Sequence, residues 1–507
     1  MGNDIGKEFM KKKYKKMEVV NLQKGGVTAI PSSIRQLQCK ELILSENDIN
    51  SLPDEIGKLR NLEVLDLGNN RITKLPGALG ELGQTLRELW LGHNKLFFGA
   101  PLTPELGKLA CLQKLDLSFN QLDEVPAAIG SCISLQFLDI SNNSLEVFPP
   151  EFGRLRNLIT FKADHNKLRA LPPEIGNLSS LVELDISYNN LTKFPQQIGN
   201  LTCLKVFNFE FNKMIELPEE MGELAALEHF NARDNPTLAT LFPLQNYRNI
   251  TYMSLRNSQL PELPHDIGYL ANVTELDLRD NVQFEGIPRE IGYLVNLKKL
   301  DLFGNKLASL PAEIGLLQNL VKLDLRNNVL TAELLPPELG RLQKLEKLFL
   351  AKNQLSSLLP EIKTMASLRE LDLSFNLLQE VPEEIGYLVN LQKLFLAGNR
   401  LLTLPPTIAA LTNLTFLDIR SNEIHELPAE VGELVSIEKI DMSHNMMTAL
   451  PWELGHLPKL QVLDLNHNPL VVPPRPVQNR GTPAVLAWLK KNERAGRNKH
   501  VTGLSFE

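Results

Sequence analysis

Hydrophobic and polar positions follow one pattern along most of the chain, LxxLxLxxNxL, which returns nineteen times and usually after 23 residues. In one copy, Leu65-Asp66-Leu67 alternates apolar and polar side chains three residues before Asn70. This alternation predicts a short β-strand whose leucines point into a core while the aspartate faces solvent. A buried asparagine amide can pair with backbone groups where the chain leaves the strand. We therefore expect a ladder of Asn47, Asn70, Asn94, Asn120, Asn143, Asn166, Asn189, Asn212, Asn235, Asn281, Asn305, Asn328, Asn353, Asn376, Asn399, Asn422, Asn445 and Asn468, with Ser258 in the tenth unit.

The second half of each copy carries the pattern LPxEIGxLxxL, as in the segment 52–62. Proline suits the start of a helical turn, acids suit its positive end and glycine suits its exit. A short leucine-rich period of about 20–29 residues is typical of leucine-rich-repeat proteins, which this chain resembles. We predict an α/β solenoid, a leucine-rich-repeat horseshoe with a parallel concave sheet, short convex helical or 3₁₀ turns and a C-terminal capping helix.

The sequence divides into four segments. Gly481-Thr482-Pro483 opens a helix with threonine as N-cap and proline at the first position. One face of this helix is apolar, so it caps the hydrophobic end of the solenoid or, alternatively, binds a partner. We expect a basic arm at 1–17, a solenoid at 18–480 comprising an N-terminal cap unit and about 19 repeats, a capping helix at 481–495 and a tail at 496–507.

Three units depart from the period or the template. Extra residues after Asn94, near 97–101, and after Asn328, near 334–337, predict bulges at one edge. The unit after Asn235 lacks PxEIG and leads into the Ser258 unit. Two consecutive departures indicate either a locally relaxed solenoid or a tolerated binding site.

Composition narrows the classes of partner and compartment. The 507 residues carry a net charge of −7, which favours no nucleic-acid partner. The sequence contains no apolar run long enough to span a membrane and no apolar signal segment at its start. Four single cysteines lie close to leucine positions. We expect them to be buried as small hydrophobic side chains and to remain reduced in a reducing compartment. These features together predict a cytoplasmic protein.

We expect no enzyme. The sequence shows no phosphate loop, zinc-ligand spacing, kinase motif or catalytic triad. Repeats and caps occupy nearly all of residues 18–492, which leaves no room for a catalytic domain. The prediction therefore includes no catalytic residue, no metal ligand and no cofactor.

Residues that flank the strand leucines form rows across the repeats. The central row consists of the residues between the two strand leucines; it is mostly acidic, which is usual in this repeat. Its acids are Asp66, Asp116, Asp139, Asp185, Asp277, Asp301, Asp324, Asp372, Asp418, Asp441 and Asp464. Arginine and aromatic residues are typical of protein-binding hot spots. The predicted partner-binding residues on the concave face are Arg233, Arg256, Arg279, Phe303, Arg326, Lys299, Lys322, Lys347, Phe349 and Phe395. Alternatively, the arginines simply pair with neighbouring aspartates such as Asp277 and Asp324. Trp90, Lys162 and Tyr188 are weaker candidates.

The N-terminus carries a separate signal. Gly2 has the position that N-myristoylation requires, although Gly6 stands where serine or threonine is preferred. An acyl chain together with a basic patch can anchor a protein to a membrane, whereas either signal alone binds weakly. The alternative is a solvated lysine arm. The basic patch consists of Lys11, Lys12, Lys13, Lys15 and Lys16.

The repeats contain LPAEIG at 310–315 and VPEEIG at 381–386, and the C-terminal part contains Trp488-Leu489-Lys490-Lys491. These segments resemble the Ras-group intracellular leucine-rich-repeat proteins. That family includes the Shoc/Sur Ras–Raf scaffold, Ras suppressor protein and the plant intracellular Ras-group proteins. The resemblance implies a non-catalytic signalling scaffold that binds an active Ras-family GTPase and acts in growth or cytoskeletal pathways, in the cytoplasm or at the inner face of the plasma membrane.

The same family sometimes binds a type-1 phosphatase through a docking motif in a long N-terminal tail. Only about eighteen residues precede the first unit of this chain, and none of them forms that motif, which argues against a phosphatase partner. The alternative function is a cytoskeletal or cell-polarity adaptor without a GTPase partner.

Overall fold

Each described strand is three residues long, and its middle residue is buried while the flanking residues are more exposed in most strands. This burial pattern follows from the alternation of leucine with polar residues in the repeat. In the computed structural model, residues 14–97 and 104–502 are described, with side chains described except at 104 and 495–502. We call the sheet face that carries the first and third strand residues the concave face.

The chain forms two units, Met1–Ser258 and Gln259–Glu507. Neighbouring strands within each unit pair in parallel, for example Leu65 with Leu89 and Leu323 with Leu348. The first unit contains β1 (Val19–Asn21), β2 (Glu41–Ile43), β3 (Val64–Asp66), β4 (Glu88–Trp90), β5 (Lys114–Asp116), β6 (Phe137–Asp139), β7 (Thr160–Lys162), β8 (Glu183–Asp185), β9 (Val206–Asn208), β10 (His229–Asn231) and β11 (Tyr252–Ser254). The second contains β12 (Glu275–Asp277), β13 (Lys299–Asp301), β14 (Lys322–Asp324), β15 (Lys347–Phe349), β16 (Glu370–Asp372), β17 (Lys393–Phe395), β18 (Phe416–Asp418), β19 (Lys439–Asp441) and β20 (Val462–Asp464).

Short 3₁₀ turns connect most strands. In the first unit they are Tyr14–Lys16, Ser32–Gln36, Asp54–Lys58, Gly77–Leu82, Pro104–Lys108, Ala127–Ser131, Pro150–Arg154, Pro173–Asn177, Gln196–Asn200 and Glu219–Glu223. In the second they are His265–Tyr269, Arg289–Tyr293, Ala312–Leu316, Ala332–Leu334, Pro337–Arg341, Pro360–Thr364, Glu383–Tyr387, Pro406–Ala410, Ala429–Glu433 and Trp452–His456.

The role of the repeat glycine differs from the sequence-based interpretation. Gly57 lies inside its 3₁₀ turn, not at the exit, and a Cβ atom there would overlap the backbone carbonyl of Ala78 in the next repeat. Pro53 precedes the turn in an extended conformation. The glycine is therefore required because neighbouring turns approach each other closely.

The ladder asparagines bridge successive repeats, as the sequence predicts. The Oδ1 atom of Asn189 accepts a hydrogen bond from Leu168 N at 2.9 Å, in the preceding repeat. Its Nδ2 donates to Ala163 O at 3.0 Å and to Ile186 O at 3.1 Å. Asn189 is only 7% exposed, so Leu168 N depends on its amide for a partner, whereas the two carbonyls also accept hydrogen bonds from the ladder asparagines Asn166 and Asn212.

Aromatic packing replaces the 3₁₀ turn after Asn235. Tyr247 is fully buried, and its hydroxyl donates a hydrogen bond to the Met221 carbonyl. Its ring lies 5.1 Å from that of Phe242, which in turn lies 5.6 Å from Phe230. The irregular unit thus fills its own core, which favours the relaxed-solenoid interpretation over a binding site.

The C-terminal segment forms two helices, α1 (Arg475–Gln478) and α2 (Thr482–Thr502). Val485 and Leu489 of α2 are 1% and 0% exposed, and the Trp488 ring lies 5.8 Å from that of Trp452 in the last 3₁₀ turn. The apolar face of α2 therefore covers the last repeat. Within each unit, the predicted fold class is confirmed.

Some predictions fall outside the described residues: the lipidation candidate Gly2, the lysines at 11–13 and the insertion at 98–101. Lys15 and Lys16 lie in the first 3₁₀ turn. The second insertion adds the turn Ala332–Leu334, and Leu334 is 50% exposed. The four cysteines are free, as expected. Cys39 and Cys132 are buried, but the prediction of burial is wrong for Cys203, which is exposed.

Candidate protein-binding surface

The predicted binding residues are divided between the two units. Arg233 and Arg256 belong to the first unit, and the other eight residues belong to the second. In the second unit, strand register places Lys299 beside Lys322 and Lys322 beside Lys347. The structure therefore brings the predicted lysines together on the concave face of the second unit.

Arginines of this surface pair with aspartates of their own strands. Arg326 Nε donates to Asp324 Oδ1 at 2.8 Å, and its Nη2 donates to Asp324 Oδ2 at 2.5 Å. Arg279 makes the same bidentate contact to Asp277, with both distances 3.0 Å. This is the arrangement that the alternative interpretation predicted. The two guanidinium groups are therefore already oriented by carboxylates, and their planes are left to contact aromatic rings.

Phe349 occupies the central row between Asp324 and Asp372. Its ring lies 4.8 Å from the Arg326 guanidinium and 5.7 Å from Lys322 Nζ, and Arg326 also lies 5.6 Å from the Phe303 ring. These distances fall within the range of cation–π contact. Phenylalanine at this position replaces one acid of the row and forms a half-buried cationic and aromatic cluster.

A recess of about 380 Å³ opens next to this cluster on the concave face of the second unit. Phe303, Arg326 and Phe395 contribute to its lining. The Phe395 and Phe416 rings are 5.1 Å apart, and Lys439 Nζ lies 5.2 Å from the Phe416 ring. The recess thus combines half-buried aromatic surface with cationic groups.

Sequence reasoning missed several residues that line the recess. Phe416 stands in the row of the predicted lysines, directly beside Lys393, and Lys439 follows it in the same row. Arg420 stands two positions before Asn422, as Arg326 does before Asn328. Extending both rows past residue 395 would have identified these three residues. Phe375, half exposed and with positive φ, precedes a ladder asparagine.

The remaining lysines are solvent-exposed and pair with glutamates. Lys299 Nζ lies 2.9 Å from Glu275 Oε2, and Lys347 Nζ lies 3.4 Å from Glu370 Oε2. The side chains of the two lysines are about half exposed. Such surface pairs contribute little free energy, so a partner can displace them at low cost.

Burial raises the pKa of three acids that lie among these cations. Desolvation raises the pKa of the Asp301, Asp372 and Asp418 carboxyls above their ordinary value. The hydrogen bonds to Asp277 and Asp324 raise the pKa of Arg279 and Arg326, which keeps both fully charged. Four cationic side chains and three aspartates line the recess, so this surface suits a partner that supplies carboxylates.

The predicted arginines of the first unit have a different setting. Arg233 pairs with Glu210 and lies 5.4 Å from the Phe211 ring. Tyr188 stacks on Phe211 with ring centroids 4.3 Å apart. Arg256 is half exposed. Arg233 thus lies at the end of a local aromatic stack of the first unit.

Within the part of the chain that the structure describes, no grouping of histidine, cysteine, aspartate or glutamate has the arrangement of a metal site. No described helix combines the length and apolarity that crossing a bilayer requires.

Comparisons with known proteins agree with the architecture. A family model described as a leucine-rich repeat region matches residues 101–214, 280–380 and 359–472, more than half of the chain, and a leucine-rich-repeat model matches 38–96. Leucine-rich repeat protein lrrA of Dictyostelium discoideum is 46% identical over 104 residues, 20% of each chain. A homolog of protein phosphatase 1 regulatory inhibitor subunit PPP1R7 from Arabidopsis thaliana is 42% identical over 57 residues, 11% of this chain and 16% of the relative.

The chain thus spans a fifth or less of these curated relatives. Among solved structures, the plant peptide hormone receptor RGFR1 in complex with RGF2 is 31% identical, with a TM-score of 0.67 over 90% of this chain and 79% of the receptor chain. Leucine-rich-repeat proteins are typically protein-binding scaffolds. On the matched repeats and the fold, this chain belongs to the leucine-rich-repeat family.

Proposed function

We propose that the protein is a non-catalytic intracellular scaffold that binds a Ras-type small GTPase on the concave face of its second unit. The observation that carries the binding site is the Phe349 cluster, in which Arg326 and Lys322 cover an aromatic ring beside the recess of Phe395 and Phe416. Aromatic and arginine side chains in a desolvated centre, with exposed lysines at the rim, have the composition of a binding hot spot.

The choice of a GTPase rests on the resemblance to Ras-group repeat proteins and on charge. The cationic residues around the recess complement an acidic effector surface, and electrostatic attraction of this kind accelerates association. Growth or cytoskeletal signalling in the cytoplasm is the role that this family suggests. Lipidation of Gly2, with the adjacent lysines, would place the scaffold at the inner face of the plasma membrane.

The test is a calorimetric titration of the full chain with Ras-family GTPases. The GTPases are loaded with GDP or with a non-hydrolysable GTP analogue. We expect binding of the GTP-analogue form only. The double variant Lys322→Glu/Lys439→Glu should weaken that binding tenfold or more, and Phe416→Ala should weaken it without a change in net charge. The control Lys363→Glu makes one such charge reversal, half the charge change of the double variant, in an exposed 3₁₀ turn and should leave affinity unchanged.

The double variant Arg256→Glu/Arg279→Glu tests two arginines that the sequence predicts as binding residues and that lie outside the Phe349 cluster. If only this pair weakens binding, the site lies on the arginine row and not at the recess. Equal binding of both nucleotide forms, or none, would remove the GTPase and favour the cytoskeletal or polarity adaptor, for which nucleotide-independent co-sedimentation with actin is the test. The match to the phosphatase regulator covers 11% of this chain, and phosphatase binding is not part of the proposal.

A further inference from the structure

A second recess, of about 340 Å³, lies on the concave face of the first unit. Glu46, Asp66, Trp90 and Asp116 contribute side chains to its lining. It plays no part in the proposed GTPase site, which lies in the second unit. Its volume is close to that of the other recess, but its chemistry is the opposite.

Trp90 forms the aromatic wall of this recess. Strand register places Trp90 directly between Asp66 and Asp116. The indole Nε1 donates a hydrogen bond to Glu88 Oε2 at 3.2 Å, and the ring lies 6.0 Å from the Phe137 ring. These contacts hold the half-buried indole in one orientation with a carboxylate on each side.

Glycines keep the recess open. Gly68 and Gly92 line it two positions after Asp66 and Trp90, where later repeats carry Ser118 and Ser141. A Cβ atom at Gly92 would lie 2.6 Å from Asp116 Oδ2 and 3.0 Å from Ser118 Oγ. Any side chain at this position would therefore displace the carboxylate from its place beside the indole.

The recess carries negative charge that the described residues neutralise by an ion pair only at Glu46. Three of its lining residues are acidic, and none is lysine or arginine. Asp66 and Asp116 accept backbone hydrogen bonds from Gly68 N at 3.0 Å and Ser118 N at 2.8 Å.

The described lysines near the recess pair with glutamates and not with the two aspartates. Among described residues, no cationic side-chain nitrogen forms an ion pair with Asp66 or Asp116: Lys24 pairs with Glu46 at 3.1 Å and Lys114 pairs with Glu88 at 2.9 Å. His93, which also lines the recess, stacks on Phe119 with ring centroids 4.0 Å apart. In the recess of the second unit, by contrast, four lysines and arginines face three aspartates.

We infer that this recess binds a lysine or arginine side chain of a basic, extended peptide segment, with the cation against the Trp90 indole and between the Asp66 and Asp116 carboxylates. A cation gains from the negative face of an indole, and more so when carboxylates beside it replace part of its hydration. An acidic or neutral segment would leave the carboxylates without a counter-charge. The scaffold thus presents two recesses of opposite preference, one per unit.

The experiment uses the full chain and four fluorescein-labelled nonapeptides of glycine and serine, which carry three lysines, three arginines, three acetyl-lysines or three glutamates. Fluorescence anisotropy should show binding of the lysine and arginine peptides and none of the other two. Asp66→Asn/Asp116→Asn, which preserves side-chain shape, should weaken binding at least tenfold. Trp90→Ala should do the same, whereas Trp90→Phe should retain part of the affinity.

The matched control is Asp464→Asn, which neutralises a central-row aspartate of the second unit with the same backbone contact, to Asn466 N at 3.0 Å. Circular dichroism and thermal unfolding establish that each variant is folded. Equal binding of lysine and acetyl-lysine peptides would overturn the inference, as would equal weakening by Asp464→Asn, which would indicate attraction by net charge alone. Absence of binding at about 1 mM peptide would overturn it too. None of these outcomes depends on whether the second unit binds a GTPase.

Discussion

Asp324 binds the guanidinium of Arg326 through two parallel hydrogen bonds, to Nε at 2.8 Å and to Nη2 at 2.5 Å. The Asp324 side chain is 1% exposed, whereas that of Arg326 is 38% exposed. Lys322 Nζ lies 3.7 Å from the same carboxylate. A carboxylate this deeply buried needs a counter-charge, so Arg326 stabilises the second unit as well as forming part of the candidate surface.

Arg326→Ala is therefore expected to reduce the free energy of unfolding of the second unit. A broken buried pair costs about 3–5 kcal/mol, but the exposure of Arg326 and the remaining Lys322 reduce the expected loss to about 1–2 kcal/mol. Urea denaturation measures it. The matched control is Arg420→Ala, whose side chain is 49% exposed and whose Nε lies 3.4 Å from Asp418; its loss should be about 0.5 kcal/mol or less. Asp418 is buried as Asp324 is, so equal losses in both variants would show that the bidentate contact and lower exposure of Arg326 do not decide the cost.

The candidate site was only partly predictable from the sequence. The rows of Arg326 and Lys322 could be read from their offsets to the ladder asparagines, because register in a parallel repeat sheet follows from those offsets. The direction of each side chain could not be predicted from these offsets. The bidentate pairing of Arg279 with Asp277 therefore remained one of two alternatives until the structure showed it. Phe416 was overlooked because it interrupts a row of lysines.

The ladder makes a second prediction about stability. Asn189→Ala removes the acceptor for Leu168 N and the donor to the Ala163 and Ile186 carbonyls. The two carbonyls keep their hydrogen bonds from Asn166 and Asn212, so only Leu168 N is left without its partner. One buried backbone group without a partner costs about 1–3 kcal/mol, and we expect a loss of that size for the first unit. The control Asn190→Ala changes the adjacent, half-exposed asparagine and should cost less than about 1 kcal/mol. A loss for Asn189→Ala no larger than that of its neighbour would mean that water replaces the amide.

The fold itself was largely predictable, because one short pattern specifies strand, asparagine turn and 3₁₀ turn in every repeat. Where the pattern fails, prediction fails with it. The packing of Tyr247 against Phe242 depends on contacts between side chains that carry no repeat signature. The predicted role of Gly57 was also wrong, because the sequence of one repeat does not show how closely its turn approaches the turn of the next repeat.

Cysteine reactivity follows burial. Desolvation raises the pKa of the Cys39 thiol to about 11 and that of Cys132 to about 12, so neither thiolate is populated at neutral pH, whereas Cys203 is exposed. A disulfide reagent at pH 7.5 should modify Cys203 rapidly and Cys39 and Cys132 only after unfolding. Mass spectrometry of the peptides assigns the sites, and Cys203→Ser should abolish the rapid phase. Early modification of Cys132 in the folded protein would contradict this prediction.

His265 and Glu290 form an ion pair on adjacent turns of the second unit, with Nδ1 and Oε2 2.9 Å apart. The hydrogen bond to Glu290 raises the pKa of His265 above its ordinary value of 6.5, and the same bond lowers the pKa of Glu290 from 4.5 to about 2. The stabilisation is therefore complete between about pH 4.5 and 6.5, where both groups would be charged even in the unfolded chain. It is lost as pH rises through the raised pKa of His265 and as pH falls toward about 2.

Glu290→Gln should return the pKa of His265 toward 6.5, because it removes the main group that stabilises the imidazolium. An NMR titration that follows the imidazole Hε1 shift of His265 measures this change. Glu262→Gln is the control, since Glu262 acts on His265 only through its charge and contributes less; its shift should be smaller and in the same direction. An unchanged His265 pKa in Glu290→Gln would show that the 2.9 Å contact is not maintained in solution, and the alkaline loss of stability would then be absent.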